Sequence, residues 1–181
     1  MLSYLKTAVE FTKNISETGA FSETSKYVVD EISKYVNKNE PQIIIEFGAG
    51  HGNITLGILE KMHPNSTLYA FEVNKEFCDV LDNIKDERLK VVNLSAQDVK
   101  KVVELENSVA CIISSIPFSF IPNEVLDEIL SSSHFLLKPK HYITQVLYSK
   151  RHLKYYKKFF QNCSSKTVLN FPLAQIYSCQ K

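Results

Sequence analysis

The chain has 181 residues, enough for one domain with a full hydrophobic core and too few for two ample ones. Hydrophobic residues make up 44% and charged residues 23%, a balance that excludes a disordered or fibrous chain. Net charge is +1, from 21 basic and 20 acidic side chains, so no overall field gathers polyanions and a nucleic-acid footprint would need a local patch. The start Met1-Leu2-Ser3-Tyr4-Leu5-Lys6 lacks the apolar core of a signal peptide, and no stretch of roughly 18 apolar residues is present to span a bilayer. A cytoplasmic protein is therefore expected. The cysteines (Cys78, Cys111, Cys163, Cys179) form no C-x-x-C pair and read as buried small apolar groups rather than ligands or a disulfide. The histidines (His51, His63, His134, His141, His152) form no metal or catalytic motif.

Helix and strand patterns alternate along the chain, which predicts an α/β layered domain. Residues 2–15 predict an amphipathic helix with Leu2, Leu5, Val9 and Thr12 on one face, suited to core packing or to membrane docking. Ser22 is the expected N-cap of a second helix carrying Tyr27, Val28, Ile32, Tyr35 and Val36 toward the sheet. Residues 42–47 predict a first strand, 53–62 a helix, 67–72 a second strand, 75–85 a helix and 89–93 a third strand. Residues 97–106 are expected to be helical, 109–113 a fourth strand, and Pro122 the first residue of a helix bearing Val125, Leu126, Ile129 and Leu130. After Lys138-Pro139-Lys140 a fifth strand runs from His141 to Tyr148. Residues 166–171 and 174–179 then predict two strands whose short connection requires them to be antiparallel. Successive strand-to-helix units need right-handed crossovers, so the rest of the sheet is expected to be parallel.

Four of the five glycines (Gly48, Gly50, Gly52, Gly57) lie within ten residues, directly after the apolar run Ile43-Ile44-Ile45-Glu46-Phe47. Strand, tight turn and helix follow from that pattern, and such a turn brings backbone N–H groups close to a ligand. A dinucleotide fingerprint requires glycine at the sixth position of the turn, where this chain has Asn53. The pattern is E-x-G-x-G-x-G. About 20 residues on, Glu72 ends the second strand, where a carboxylate can accept both ribose hydroxyls. The combination resembles motifs I and II of the class I S-adenosylmethionine-dependent methyltransferases. That resemblance implies a Rossmann-like α/β fold, a seven-stranded mostly parallel sheet ending in an antiparallel hairpin, with helices on both faces. It also implies S-adenosylmethionine as cofactor, held by Glu46, Gly48, Ala49, Gly50, Gly52 and Asn53, by Glu72 and Val73, by Ser95, Ala96 and Gln97, and by Ser114. Residues 1–38 would be an N-terminal helical segment packing over that site, and residues 39–181 the cofactor-binding domain.

Ser115-Ile116-Pro117-Phe118, after the fourth strand, resembles the N-[LI]-P-[YF] motif of amino-methyltransferases. There a polar side chain and a backbone carbonyl accept hydrogen bonds from the target nitrogen while the aromatic ring packs on the target group. Ser115, Pro117 and Phe118 are accordingly the expected catalytic residues. With Ser114 included, the motif is similar to that of bacterial phospholipid N-methyltransferases, and the likeness extends over nearly the whole chain. Thr18-Gly19-Ala20 with Ser25, the run Ser114 to Leu130, Gln145-Val146-Leu147-Tyr148 and Asn170-Phe171-Pro172-Leu173-Ala174 each resemble segments of those enzymes. Ribosomal RNA adenine dimethylases share the glycine loop and the N-x-P-[YF] logic but carry a further helical RNA-gripping domain, whereas this sequence stops at its last strand.

The sequence departs from both families in three places. Leu94-Ser95-Ala96-Gln97 stands where G-D-A is usual, so an uncharged Ser95 takes the place of an aspartate facing the adenine amino group. Leu137-Lys138-Pro139-Lys140-His141 lacks the usual glycines of its turn, and Leu173 replaces a proline. The segment Lys150 to Phe160, with five Lys or Arg in eleven residues, suits anionic headgroups, a nucleic-acid backbone, or an ordinary surface helix with Leu153, Tyr156 and Phe160 turned inward. The expected activity is methyl transfer to the amine of a phospholipid or aminolipid headgroup, by a cytoplasmic protein peripherally associated with the inner face of the membrane. The alternatives are an adenine amino group in RNA, a small-molecule amine, or a methyltransferase-fold subunit that has lost catalysis.

Overall fold

The computed structural model describes residues 24–106 and 108–181. The expected helix at 2–15, the Ser22 cap and the segment from Thr18 to Ala20 lie outside the described residues. Helix α1 (Lys26–Ile32) begins at Ser25, whose hydroxyl accepts from the Val28 N–H and whose backbone N–H donates to the Asn170 side chain at 3.0 Å. Val28 and Ile32 face the sheet, while Tyr27, one residue off that stripe, points to solvent against expectation. Tyr35 lies beyond the helix and stacks on Tyr142 with ring centroids 3.9 Å apart.

The strands are β1 (Ile43–Phe47), β2 (Thr67–Phe71), β3 (Leu89–Val92), β4 (Val109–Ser114), β5 (Leu137–Leu147), β6 (Gln161–Val168) and β7 (Ala174–Gln180). They form one sheet in the order β3-β2-β1-β4-β5-β7-β6, with β7 antiparallel to both neighbours and the remaining pairs parallel. Central strands are buried on both faces, which is why β1 and β4 are continuous apolar runs rather than alternating ones. Period-two geometry splits them between two cores. Ile44, Cys111 and Ile113 pack with α1, α2 (Asn53–Lys61) and Leu81 of α3 (Lys75–Asp82). Ile45, Phe47 and Ile112 pack on the other face with Val99, with α4 (Asn123–Leu136) and with Tyr156 of the short α5 (Leu153–Tyr156). At Gly57 of α2 an added Cβ would lie 2.1 Å from Val29 Cγ1, so that glycine sets the close approach of α2 to α1.

Several boundaries differ from expectation for identifiable reasons. The turn expected at Lys138-Pro139-Lys140 lies inside β5, which pairs Leu137 with Val109 and resumes after a register shift at Tyr142 opposite Cys111. Lys140 takes the positive φ of 64° that this irregularity requires, where glycine would be unstrained. Residues 97–106 form only a 3-10 turn, Ala96–Lys101, capped by Ser95. Pro122 is the N-cap of α4 rather than its first residue. Strand β6 begins five residues early, at Gln161, through an irregularity containing Asn162 at φ 46°. The cysteine expectation is half corrected: Cys78 and Cys111 are buried and free, but Cys163 and Cys179 form a disulfide across β6 and β7. Their pairing comes from strand register, which no cysteine spacing in the sequence announces. In the basic segment, Tyr156 and Phe160 are buried and Leu153 packs against them, the arrangement of an ordinary surface element.

Candidate active site

The strand order reverses between β1 and β4, and a cavity of about 550 Å³ opens there at the carboxyl ends of the parallel strands. The loop after β1 turns through Gly48 (φ 75°), Gly50 (φ 54°) and Gly52 (φ 90°). An added Cβ at Gly50 would meet nothing within 4 Å, whereas one at Gly48 would press to 2.9 Å on Ile116 Cγ2. The first glycine thus lets the β4 loop close against the turn, and the second leaves room for a ligand.

Glu72, 4% exposed, is pinned beside this turn: Gly50 N–H donates to Oε2 at 2.9 Å and Asn74 N–H to Oε1 at 2.8 Å. Each oxygen keeps a second lone pair, and the residue lines the cavity. Glu46 lies deeper. Its Oε2 accepts from the Thr55 hydroxyl at 2.7 Å while Oε1 has no partner. Burial pushes its carboxyl up to about 8, against the Thr55 hydrogen bond and with a further push from the Glu72 charge.

Ser115 donates its hydroxyl hydrogen to Gly48 O at 2.6 Å, so toward the cavity it offers lone pairs alone. The Ile116 carbonyl is held by Gln145 Nε2 at 3.1 Å, and Gln145 Oε1 in turn accepts from the Tyr156 hydroxyl at 3.0 Å. This chain of buried bonds fixes the loop after β4.

Of the residues expected from sequence, Gly48, Ala49, Gly50, Asn53, Glu72, Val73, Ser95, Ala96, Ser115 and Pro117 share the wall of this one cavity. Five do not reach it. Glu46 sits beneath the loop, Gly52 caps α2 facing Leu81 and Ile84, and Gln97 turns its amide to Glu128. Ser114 is 2% exposed with an unpartnered hydroxyl. Phe118 is turned into the core by the 3-10 turn Phe118–Phe120 and stacks on Tyr156 at 5.6 Å; the ring on the cavity is Phe120.

Phe77, Phe120, Ser149 and His152 line the cavity without having been expected there. Phe120 is legible afterwards as the outward partner of Phe118 across the turn, while Ser149 and His152 simply follow β5 with no motif. Among the described residues the cavity wall contains no Lys or Arg, and its one carboxylate is Glu72. No group of three or more His, Cys, Asp or Glu is arranged to hold a metal among those residues.

A glycine cradle with open space at Gly50, a carboxylate pinned beside it and an apolar wall fit an adenosyl group. Residues 44–140, more than half of the chain, match the family model described as "Methyltransferase domain". The chain belongs to that methyltransferase family. It is an S-adenosylmethionine-dependent methyltransferase of the class I fold.

Solved structures agree on the architecture. The methyltransferase is similar to the 1,6-didemethyltoxoflavin-N1-methyltransferase of Burkholderia thailandensis, solved with S-adenosylhomocysteine, at TM-score 0.70 and 14% identity, over 97% of this chain and 88% of that one. It is similar to the precorrin-6y C5,15-methyltransferase of Geobacter metallireducens at 0.66 and 16%, over 88% and 90%. A putative rRNA-methylase of Clostridium thermocellum matches at 0.65 and 17%, over 84% and 92%. No helix among the described residues is long and apolar enough to cross a membrane.

Proposed function

We propose that this methyltransferase methylates an amine nitrogen, and that the amine belongs to a lipid headgroup presented at a membrane surface. The observation that carries the nitrogen is Ser115: with its hydrogen committed to Gly48 O, it meets the acceptor as a hydrogen-bond acceptor, which suits an N–H donor. When bound, S-adenosylmethionine supplies the methyl group as an electrophile and leaves as a neutral thioether. The protein's part is alignment and exclusion of water. Glu72 would hold the ribose hydroxyls and Ser95 the adenine amino group. Pro117 would fix the turn, and Phe120, in place of Phe118, would offer its ring to the developing positive charge.

Lipid presentation is supported by the mouth of the cavity. Tyr148 (63% exposed) and Phe171 (85%) line it, and Leu169 (63%) and Leu173 (56%) flank Phe171 in the chain. Apolar rings and leucines left in water mark a binding edge. Lys150, Arg151 and Lys154 follow Tyr148 in sequence and suit an anionic surface.

A second reading, a soluble aromatic amine, is favoured by the absence of Lys and Arg from the described cavity wall, since a phosphate inside would lack a cation. The structural neighbour from Burkholderia thailandensis is named as an N1-methyltransferase of 1,6-didemethyltoxoflavin. The deciding experiment is transfer of labelled methyl, in parallel, to phosphatidylethanolamine vesicles, total RNA and a panel of heteroaromatic amines. Label in the lipid fraction is expected. Label confined to RNA or to the soluble amines would overturn the lipid assignment.

A further inference from the structure

Methylation of an amine needs the nitrogen lone pair, and an amine in water at neutral pH is mostly ammonium. The residues inherited from the motif comparison include no base. Two of the described histidines line the cavity: His51 belongs to the glycine turn, and His152 packs on the segment after β4. The His152 ring lies 5.9 Å, edge to face, from that of Phe118, the residue immediately following the Ser115-Ile116-Pro117 turn. On its other side it stacks on Tyr155 at 6.1 Å. The residue lines the cavity and its Nδ1 is buried with no hydrogen-bond partner, which leaves Nε2 as the ring nitrogen available to a cavity ligand.

We propose that His152 is the proton acceptor of the methyl-transfer site, taking a proton at Nε2 from the acceptor amine held by Ser115. The proposal rests on the reading that the acceptor is an amine. In the step, one N–H bond of the ammonium breaks and its electron pair stays on nitrogen as the attacking lone pair. The proton bonds to Nε2, whose lone pair is free when Nδ1 carries the ring hydrogen. The amine goes from +1 to neutral and the ring from neutral to +1.

The surroundings keep that ring charge short-lived. Burial lowers the His152 pKa from its ordinary 6.5, and the Arg151 and Lys154 cations lower it further. From the other elements the ring meets Phe118, which does not titrate, and Tyr155. Tyr177 donates its hydroxyl to Ser149 O and Tyr156 to Gln145, so both phenols are neutral and already committed. Among the described residues the charges acting on the ring are the cations of Arg151 and Lys154, with no carboxylate beside them. The base is therefore neutral at pH 7, and it returns its proton to water quickly. Activity should fall only where the ring becomes charged, below pH 6.5.

The test uses the full chain loaded with S-adenosylhomocysteine and nitrogen-detected imidazole NMR, with n-octylamine hydrochloride as probe. His152 should be neutral at pH 7 with Nε2 unprotonated, and its resonances should move as octylamine saturates. A ring charged at pH 7, an Nε2–H tautomer, or resonances unmoved at saturation would each overturn the assignment. In the methyl-transfer assay, His152→Gln should lower kcat by roughly 10²–10⁴-fold and abolish the acid limb of the pH profile. S-adenosylhomocysteine affinity should stay within about twofold, which reports an intact fold. A variant keeping kcat within threefold and the same acid limb would refute the base and leave amine methylation standing. A wild-type chain that methylates no amine would remove the functional reading and the base together. The NMR arm decides the matter if the variant does not fold.

Discussion

Glu46 offers a quantitative check on the electrostatics beneath the glycine turn. Its carboxyl is 1% exposed, one oxygen has no partner, and its folded pKa is raised from 4.5 to about 8. A raised carboxyl pKa means that the folded state binds the proton more tightly than the unfolded chain. Stability from this group is therefore fully present below pH 4.5 and is lost as pH rises through about 8. The loss is about 1.4 kcal/mol per pKa unit, hence roughly 3 kcal/mol by pH 7 and roughly 5 kcal/mol above pH 8. Glu46→Gln isolates it. The amide oxygen can still accept from Thr55, and the amide nitrogen takes the place of the unpartnered oxygen, as the protonated carboxyl's O–H does. The two proteins should be equally stable at pH 4.5, and the variant should be roughly 5 kcal/mol more stable at pH 8.5, or roughly 10–20 °C in Tm for a domain of this size. Urea unfolding across pH 4.5–8.5 measures the divergence. Parallel curves for the two proteins over that range would refute the reasoning, because they would show that the folded state holds the Glu46 proton no more tightly than the unfolded chain does.

Two further substitutions probe the cradle and the packing behind it. Glu72→Ala removes the acceptor of the Gly50 and Asn74 N–H groups and should weaken S-adenosylhomocysteine binding by roughly 10²–10³-fold in calorimetry, since hydrogen bonds to a charged group are worth about 1.5–3 kcal/mol each; unchanged affinity would separate Glu72 from the cofactor. Gly57→Ala gains about 1 kcal/mol of helix propensity but sets a methyl 2.1 Å from Val29 Cγ1, where overpacking costs about 1–3 kcal/mol. A net drop in thermal stability is expected, reversed when Val29→Ala is added, and stabilisation by Gly57→Ala alone would contradict the packing described.

How far the sequence reaches can be followed along β1 and β4. A β-branched run long enough for a strand and apolar on both faces has one stable place, the middle of a parallel sheet, so Ile43–Phe47 and Val109–Ser114 announce themselves. The glycine turn and Glu72 are equally legible, because backbone approach and a carboxylate at the end of the next strand are local consequences of residue type. Phe118 shows the limit. Its motif predicts an aromatic ring at the site, but which of Phe118 and Phe120 faces the cavity depends on the 3-10 turn that separates them and on the space beside Tyr156. That is a packing decision between segments nearly forty residues apart.

The chain's residue pattern alone therefore determined the α/β layering, the closing antiparallel pair, the glycine turn beside Glu72 and the loop after β4, since each follows from short-range periodicity or from a few adjacent residues. Tertiary structure decided the rest. Register across β6 and β7 joined Cys163 to Cys179, and the register shift that runs β5 back to Leu137 absorbed the expected turn. Burial gave Glu46 its raised pKa, and the packing of the segment after β5 on Phe118 brought His152 to the cavity wall. Those outcomes depend on which distant side chains share a wall and exclude water from it, and distance through space is the quantity that a linear pattern does not contain.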